Sequence, residues 1–290
     1  MSVIPSTAFA RKAILRSLGD LPPLPAVANK VLAESEKPDA SPSKLEAILQ
    51  ADPAIAAKAL RVVNSAYYGL PGNVSSLNQA CVLLGVMQIR NIVLGMSAVS
   101  AISKTQFDKG GLSKFWLHSF ATAHATHLIG VNKKIRALDL DVLFVGGLLH
   151  DIGKLFLFAN FPEFYNEVLT SWAEDRRPLY LVEREILGVT HDQIGGEICR
   201  IWNLPNALCG LIESHEGPFT LESEVLCFPL HIGDEITKYL YERDEYPYSP
   251  LIDPVAAEWL NFESGQMKQL IDEVQHKVES MKGVVSQLAA

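Results

Sequence analysis

Apolar residues recur every three or four positions along almost the whole of this 290-residue chain. Side chains at that spacing share one face of an α-helix, whereas a half-buried β-strand requires an apolar residue at every second position. We find no convincing alternating run bounded by hairpin turns. The sequence therefore predicts an all-α fold, and its length is sufficient to bury a sizeable apolar core.

Prolines and polar residues divide the first part of the chain into six predicted helices. They cover residues 7–18, 25–36, 42–50, 53–64, 76–84 and 86–103. Ser41-Pro42 and Asp52-Pro53 are typical helix starts, because a Ser or Asp can cap the helix and its first position needs no N–H donor. We expect an ordered loop at 64–76 and a polar, glycine-rich link at 105–111.

The composition excludes several classes of protein. A net charge of −8 argues against nucleic-acid binding, because affinity for phosphates depends on basic groups. The longest apolar runs, 92–102 and 142–149, are shorter than the roughly 20 residues of a membrane-spanning helix, and no secretion signal is recognisable. Four scattered cysteines without a Cys-x-x-Cys pair favour reduced, buried thiols. We therefore expect a cytoplasmic protein that binds neither nucleic acid nor membranes.

The histidines are confined to the second part of the chain, where all eight follow residue 111. The sharpest local feature there is His150-Asp151, which follows the apolar run 142–149. Neighbouring helical side chains point about 100° apart, so these two residues cannot bind an ion as an i, i+4 pair does. Both can reach an ion in the centre of the bundle near the helix end, and imidazole with carboxylate is a donor set for divalent transition metals. A His-Asp pair alone is weak evidence for such a site.

Four further motifs extend this pattern. His118 precedes the pair in Trp-Leu-His-Ser, and Asp234 follows it in His-Ile-Gly-Asp. The order of a His, a His-Asp pair and a distal Asp resembles the HD-domain superfamily of metal-dependent phosphohydrolases. His191, in Thr-His-Asp-Gln, and His215, in Ser-His-Glu-Gly, stand where the two-metal branches have further histidines. The resemblance implies six metal ligands: His118, His150, Asp151, His191, His215 and Asp234.

The first part of the chain carries a second set of motifs. These are Leu21-Pro22-Pro23-Leu24-Pro25, Gln50-Ala51-Asp52-Pro53, Asn64-Ser65-Ala66-Tyr67-Tyr68 and Leu84-Gly85. With the HD-type pattern they resemble the HDOD family, the HD-related output domain of bacterial signalling proteins, over about residues 15–215. The resemblance implies an N-terminal helical bundle packed on an HD-type helical bundle. We accordingly expect three regions: an HDOD-specific bundle at 1–104, a metal-binding bundle at 112–250 and acidic C-terminal helices at 251–290.

The HDOD resemblance implies a regulatory role in signal transduction, with signalling proteins or a small phosphorylated ligand as partners. The HD pattern implies an alternative, a metal-dependent phosphohydrolase that acts on a nucleotide or another phosphoester. In that alternative, one or two ions of Fe, Mn, Ni or Zn would lower the pKa of a bound water, which attacks phosphorus. The catalytic residues would be Asp151, as a metal ligand, and Lys154, which could contact the phosphate.

The resemblance also assigns the ligands to two ions. The first ion would be bound by His118, His150, Asp151 and Asp234, and the second by Asp151, His191 and His215. Two departures argue against hydrolysis of cyclic di-GMP. Ser214 stands where the HD-GYP phosphodiesterases have a second adjacent histidine, so a second ion would lack one ligand. Residues 217–220, Gly-Pro-Phe-Thr, do not supply the Gly-Tyr-Pro signature of that family.

The candidate residues also have plain structural interpretations, which the sequence leaves open. His118, His150 and Asp151 could form a buried polar cluster in which every group is hydrogen-bonded. Asp234 could serve only the N-terminal end of a helix dipole, and His191 could be a neighbour of a helix cap. Three more residues have alternatives: His215 as a helix C-terminal residue, Lys154 as a solvated charge and His231 as a hydrogen-bond donor behind a ligand.

Other conspicuous residues are expected to lie outside the site. His124 and His127 follow His118 on one helix by six and nine residues, which places them about 120° and 180° around it. His276 is expected to be exposed. Core packing is favoured over a partner surface for three residues of the first part: Tyr67, Tyr68 and Arg90. The acidic C-terminal helices could cover the bundle or mediate self-association, and the oligomeric state stays open.

Overall fold

The computed structural model describes residues 6–65, 67–102, 109–175, 177–241 and 252–288. Every regular element in these ranges is a helix, which confirms the predicted all-α class. The α-helices are, in chain order, α1 Thr7–Ser17, α2 Ala26–Ser35, α3 Pro42–Leu49, α4 Pro53–Val63, α5 Leu77–Leu84, α6 Val86–Ile102, α7 Lys109–Asn132, α8 Ala137–Leu149, α9 Ile152–Asn160, α10 Pro162–Asp175, α11 Leu179–Leu187, α12 His191–Ile201, α13 Asn206–Glu213, α14 Cys227–Tyr241, α15 Pro254–Leu260, α16 Ser264–Glu279 and α17 Lys282–Leu288.

The six helices predicted for the first part correspond to α1–α6, with boundaries that differ by about one residue. Both predicted proline starts are confirmed. Asp52 caps α4, because its carboxylate accepts a hydrogen bond from the N–H of Ile55 at 3.1 Å. The expected cap at Ser41 is wrong: its side chain makes no capping bond, and its hydroxyl lies 3.3 Å from that of Ser43 instead.

The predicted link at 105–111 is wrong at its C-terminal end. Helix α7 already begins at Lys109, so Gly110 and Gly111 lie in its first turn, and residues 103–108 are outside the described ranges. Both glycines are exposed and precede the buried part of the helix. The lack of side chains at Gly110 and Gly111 therefore does not remove any apolar packing from α7.

The predicted ordered loop at 64–76 is held together by the side chain of Asn64. Its Nδ2 donates to the backbone oxygen of Val74 at 2.9 Å, and its Oδ1 accepts from the N–H of Val74 at 2.7 Å. Tyr67, a residue of this loop, is buried, as expected. The hydroxyl of Ser65 lies 3.3 Å from Sδ of Met281, which joins the loop to the C-terminal helices.

Two central helices, α6 and α7, organise the packing. Helices α2, α4 and α5 pack on α6, which also contacts α8 and α9. Helix α7 packs along α8 and α14 and is also contacted by α16 and α17, so the C-terminal helices cover the second bundle. One apolar cluster runs from Ile14 through α6 to Ile212 and joins both bundles. The boundaries of the three expected regions stay a prediction. All four cysteines are buried and free, as predicted: Cys81, Cys199, Cys209 and Cys227.

Two glycines allow the helices around the predicted ligands to approach each other closely. A Cβ atom on Gly147 of α8 would overlap the backbone of Ala123 in α7. A Cβ atom on Gly153 of α9 would overlap the backbone oxygen of His191 at the start of α12. Because protein interiors are close-packed, a larger side chain at either position would push these helices apart.

One stretch of the described ranges, Ala137–Asn160, is long and apolar enough to cross a membrane. It comprises α8 and α9, and 78% of its most apolar window is buried inside the fold. Helices α5 and α6 pass the same test only as a pair, which bends by 118° at the break. Burial of this extent is typical of the central helix of a folded core.

Candidate metal centre

The six predicted ligands come from separate segments of the chain and meet inside the fold. They are His118 in α7, His150 and Asp151 at the break between α8 and α9, His191 at the first position of α12, His215 two residues after α13, and Asp234 near the middle of α14. Each is at most 5% exposed. The position of Asp234 contradicts its helix-dipole alternative, since that effect is confined to the first turn. The helix before His215 ends at Glu213, so His215 does not end it.

The side chains of His118, His150 and Asp234 converge on one point, and that of Asp151 lies beside it. Nε2 of His118 lies 3.0 Å from Nε2 of His150 and 3.1 Å from Oδ1 of Asp234. Nε2 of His150 lies 3.3 Å from Oδ1 of Asp151 and 3.5 Å from Oδ1 of Asp234. Donor atoms bound at about 2.1 Å to one ion lie about 3.0 to 3.4 Å apart, from right-angle to tetrahedral geometry. Three of the four observed separations lie in that range, and the separation of His150 and Asp234, 3.5 Å, lies just above it.

A second group of donors adjoins the first and shares Asp151 with it. Nε2 of His191 lies 3.6 Å from Oδ1 of Asp151 and 3.3 Å from Nε2 of His215. Sequence analysis missed Glu216, whose Oε1 lies 3.3 Å from Nε2 of His191 and 3.9 Å from Nε2 of His215. Its position directly after a predicted ligand was the signal available. Glu216 thus offers a carboxylate donor to the second group, in which Ser214 replaces the histidine that HD-GYP phosphodiesterases have.

The imidazoles are oriented so that Nε2, and not Nδ1, faces the centre. Nδ1 of His150 and of His215 lies 2.9 and 2.7 Å, respectively, from the backbone oxygen three residues earlier. Nδ1 of His191 lies 2.7 Å from Oε2 of Glu183. A ring that donates through Nδ1 keeps the Nε2 lone pair for a metal ion, which is the usual arrangement behind metal-bound histidine.

Glu183 of α11 is a second residue that sequence analysis missed. It is fully buried, and its Oε2 also accepts a hydrogen bond from the backbone N–H of His191 at 2.9 Å. Its Oε1 accepts one from the hydroxyl of Tyr165 at 3.0 Å. The available signal was its position four residues from both Leu179 and Leu187, on the apolar face of the helix.

Two lysines neutralise part of the negative charge. Nζ of Lys154 lies 2.8 Å from Oδ1 of Asp151, and the side chain is only 16% exposed, so the solvated alternative is wrong. Nζ of Lys238, which sequence analysis missed, lies 2.8 Å from Oδ2 of Asp234 and 3.5 Å from Oε1 of Glu216. Lys238 follows Asp234 by one helical turn, which places both side chains on one face of α14.

These charges keep the carboxylates ionised. Burial alone would raise the pKa of Asp234, but Lys238 and His150 outweigh it and hold that pKa well below its usual range. For Asp151, burial is likewise outweighed by His150 and Lys154, and its pKa is also lowered. Oδ1 of Asp234 is buried and accepts no hydrogen bond of good geometry from the described residues. An ionised, buried and unsatisfied carboxylate oxygen facing two ring nitrogens is suited to a divalent cation.

The two histidines of the second group differ in protonation. Burial lowers the pKa of His215 to about 3, aided by the charge of His150, so the ring is neutral at pH 7. Burial also disfavours the charged form of His191, but the carboxylate of Glu183 outweighs it and raises the pKa to about 10. An ion bound by His191 would therefore displace a proton.

The remaining histidines lie where structural roles were expected. Nδ1 of His231 donates to the backbone oxygen of His215 at 3.1 Å, which places it behind that residue. Nδ1 of His124 lies 3.1 Å from the hydroxyl of Tyr67, away from the centre. His276 is exposed. Tyr68 and Arg90, for which core packing was expected, are half-buried. The hydroxyl of Tyr68 accepts a hydrogen bond from Gln88, and Arg90 donates one to Asn91.

The sequence matches a known protein family over most of its length. A family model described as HDOD domain matches residues 21–218, a range that ends before Asp234. A relative from Treponema pallidum (strain Nichols), known only as an uncharacterized protein, is 24% identical over 198 residues. That alignment covers 68% of this chain but only 38% of the relative, so the chain corresponds to well under half of its length.

Solved structures share the fold across the chain. A "putative signal transduction protein" from Marinobacter aquaeolei VT8 superposes with a TM-score of 0.77 at 21% identity, covering 99% of this chain and 68% of that one. A "putative phosphohydrolase" from Shewanella amazonensis SB2B gives a TM-score of 0.71 at 23% identity, covering 96% of this chain and 97% of that one. At these identities the similarity establishes the helical architecture alone.

Proposed function

We propose that this chain, which belongs to the HDOD domain family, is a regulatory signal-transduction protein of the bacterial cytoplasm with a divalent transition metal in its HD-type centre. The observation that carries the proposal is the meeting of His118, His150 and Asp234 at donor separations of 3.0 to 3.5 Å. The fold similarity to the protein from Marinobacter aquaeolei VT8, whose name describes a signal transduction protein, supports the regulatory role. Signalling proteins or a small phosphorylated ligand would be its partners.

The residues present fit such an ion by number and chemistry. The first ion would be held by His118, His150, Asp151 and Asp234, and a second by Asp151, His191 and His215, with Glu216 as a further donor. Mixed imidazole and carboxylate donors favour Mn, Fe, Ni or Zn over Mg, which prefers oxygen alone. Such an ion, when bound, polarises a phosphoryl oxygen and lowers the pKa of a coordinated water.

The side chains around the ligands would contribute orientation and charge. Glu183 fixes the ring of His191, and His231 fixes the backbone that carries His215. Lys154 and Lys238 hold positive charge beside the carboxylates and would attract the phosphate of a ligand. In a regulatory protein these same groups would sense the ligand without converting it.

Metal-dependent phosphohydrolysis is the second candidate function. The observation that favours it is a cavity beside the centre whose lining includes His118, Asp151 and Lys154, so that a phosphoester could reach the predicted ligands. The fold similarity to a protein named as a phosphohydrolase is consistent with this. The absence of the second histidine at Ser214 and of the Gly-Tyr-Pro signature favours the regulatory role over cyclic-dinucleotide hydrolysis.

Metal analysis of the purified protein tests the proposal. We expect one or two equivalents of a transition metal, lost when His150→Ala and Asp151→Ala are combined and retained in the exposed control His276→Ala. Less than about a tenth of an equivalent, unchanged by the double substitution, would refute the metal centre. Turnover of a nucleotide or phosphodiester panel with added manganese would favour the phosphohydrolase, whereas a loaded but inactive protein would favour regulation.

A further inference from the structure

The cavity beside the metal centre has two chemically distinct parts. Its volume is about 290 Å³, and His118, Asp151 and Lys154 form the polar end next to the predicted ligands. Apart from Lys114 and Tyr241, the walls beyond that end are apolar and come mainly from α7, α9 and α10: Phe115, Leu117, Leu155, Phe158, Leu169 and Trp172. A ligand that fills the whole cavity must therefore combine an anionic head with an apolar body.

Tyr165 illustrates how the wall is prepared for an apolar group. Its ring lines the cavity, but its hydroxyl already donates to the buried Glu183 at 3.0 Å. The ring is therefore presented without its polar atom, edge to face with Phe158 at 6.3 Å between centroids. Such aromatic walls favour flat or compact apolar groups over polar ones.

Polarity disfavours a nucleoside. The ribose hydroxyls and the base edge would face a mainly apolar wall, and each polar group buried without a partner costs free energy. The wall instead suits an aryl group or a short alkyl chain.

We propose that this cavity binds a phosphomonoester with a compact apolar body, the phosphate lying against Lys154 and the metal centre. The phosphate end rests on the proposed metal centre, whereas the preference for an apolar body rests on the cavity alone. Such a phosphomonoester would be the sensed ligand of a regulatory protein or the substrate of a phosphohydrolase. In either case a nucleotide is not the preferred ligand.

Calorimetric titration of protein with measured metal content tests this ligand class. The probes are naphthalen-1-ylmethylphosphonate, methylphosphonate and AMP, of which the phosphonates cannot be hydrolysed and so report binding alone. We expect the naphthyl compound to bind at least tenfold more tightly than methylphosphonate, and AMP no more tightly than methylphosphonate. Equal binding of the two phosphonates, or tighter binding of AMP than of the naphthyl compound, would overturn the inference.

A cavity-filling variant provides the structural control. Leu169→Trp should weaken binding of the naphthyl compound at least tenfold and leave methylphosphonate unchanged, which also reports that the fold is intact. Asn166→Trp, at an exposed position of the same helix, should change neither. A naphthyl affinity that survives Leu169→Trp would place the apolar body elsewhere and contradict the inference.

An error in the ligand class and an error in the metal centre would give different results in this experiment. Metal-loaded protein that does not discriminate between the phosphonates overturns the ligand class and leaves the metal centre standing. If the purified protein contains no metal, the proposed metal centre is wrong. The cavity and Lys154 should still make that protein bind the naphthyl compound more tightly than methylphosphonate. Loss of that preference in metal-free protein would then overturn the ligand class as well.

Discussion

Oε2 of Glu183 lies 2.7 Å from Nδ1 of His191, and both side chains are fully buried. The same carboxylate accepts hydrogen bonds from the N–H of His191 and from the hydroxyl of Tyr165, so neither oxygen is free to turn away. This pairing sets which nitrogen of His191 faces the centre. A carboxylate behind a histidine also raises the basicity of the ring as a metal ligand.

Replacing this carboxylate should weaken metal binding. Glu183→Gln removes the negative charge, so we expect a drop of about 10- to 100-fold in the affinity for Mn or Zn, measured by competition with a chelator. The pKa of His191 should also fall from its raised value of about 10, as followed by NMR of the imidazole.

The matched control for this change is Glu185→Gln. Glu185 is on the same helix, but its side chain is 64% exposed and pairs with Arg177 at the surface. Exposed pairs of this kind contribute little, so metal affinity should stay at the wild-type value. Equal affinities for Glu183→Gln and wild-type protein would show that the buried carboxylate does not position His191.

The contact between α9 and α12 can be tested with an alanine pair. Gly153→Ala would drive a Cβ atom into the backbone oxygen of His191, so we expect lower stability by about 1 to 3 kcal/mol and loss of metal binding. Gly210→Ala in α13 meets no atom within 4 Å and should stabilise the protein by up to about 1 kcal/mol. Chemical denaturation with metal analysis measures both effects, and unchanged metal content in Gly153→Ala would contradict the close-contact argument.

The buried ring of His124 should make stability depend on pH. Burial, with a smaller contribution from Lys277, lowers its pKa to about 3, below the usual value of 6.5. The unfolded chain then binds more protons than the folded one between pH 6.5 and 3, so stability is complete above pH 6.5 and falls with pH through that window. From pH 7 to pH 5 this one residue should cost about 2 kcal/mol.

Comparison with His124→Gln isolates that contribution. His215 has a similarly low pKa and remains in both proteins, so its effect cancels in the difference. Denaturation at pH 7 and pH 5 should show a loss about 2 kcal/mol smaller in the variant than in the wild-type protein. Parallel losses in the two proteins would mean that His124 takes up its proton without unfolding.

Lys238 should be important for stability when no metal is bound. Its Nζ lies within 3.5 Å of Asp234, Glu235 and Glu216, all buried. Lys238→Met removes the positive charge that these three carboxylates share, which should cost about 3 to 5 kcal/mol in metal-free protein.

The exposed pair of Lys282 and Glu279 provides the comparison for Lys238. Lys282→Met should cost less than about 1 kcal/mol. Because a divalent ion would replace the lost positive charge, added metal should raise the melting temperature of Lys238→Met more than that of the wild-type protein. A cost below about 1 kcal/mol for Lys238→Met would contradict the charge balance described above.

The sequence predicted helix ends well where local chemistry decides them. Asp52 caps α4 through a bond between residues three apart, and a proline follows it, so both signals are contained in a few residues. The expected link at 105–111 was wrong at its C-terminal end, because Gly110 and Gly111 occupy an exposed first turn of α7 instead of breaking the chain there.

The meeting of the predicted ligands inside the fold was predictable, whereas their binding of a metal stays a prediction. The order of His118, His150-Asp151 and Asp234 carried that information. Glu183 and Lys238 were missed because their roles depend on which helices meet: α11 against the start of α12, and α14 against the loop after α13. No local sequence pattern specifies contacts between helices. The one available signal was a charged residue on the apolar face of a helix.

Anomalous diffraction from crystals grown with manganese tests the central claim most directly. We predict a peak within about 2.3 Å of Nε2 of His118 and His150 and of Oδ1 of Asp234, absent when His150→Ala and Asp151→Ala are combined. A fully ordered centre without a peak, or a peak elsewhere in the molecule, would contradict the account.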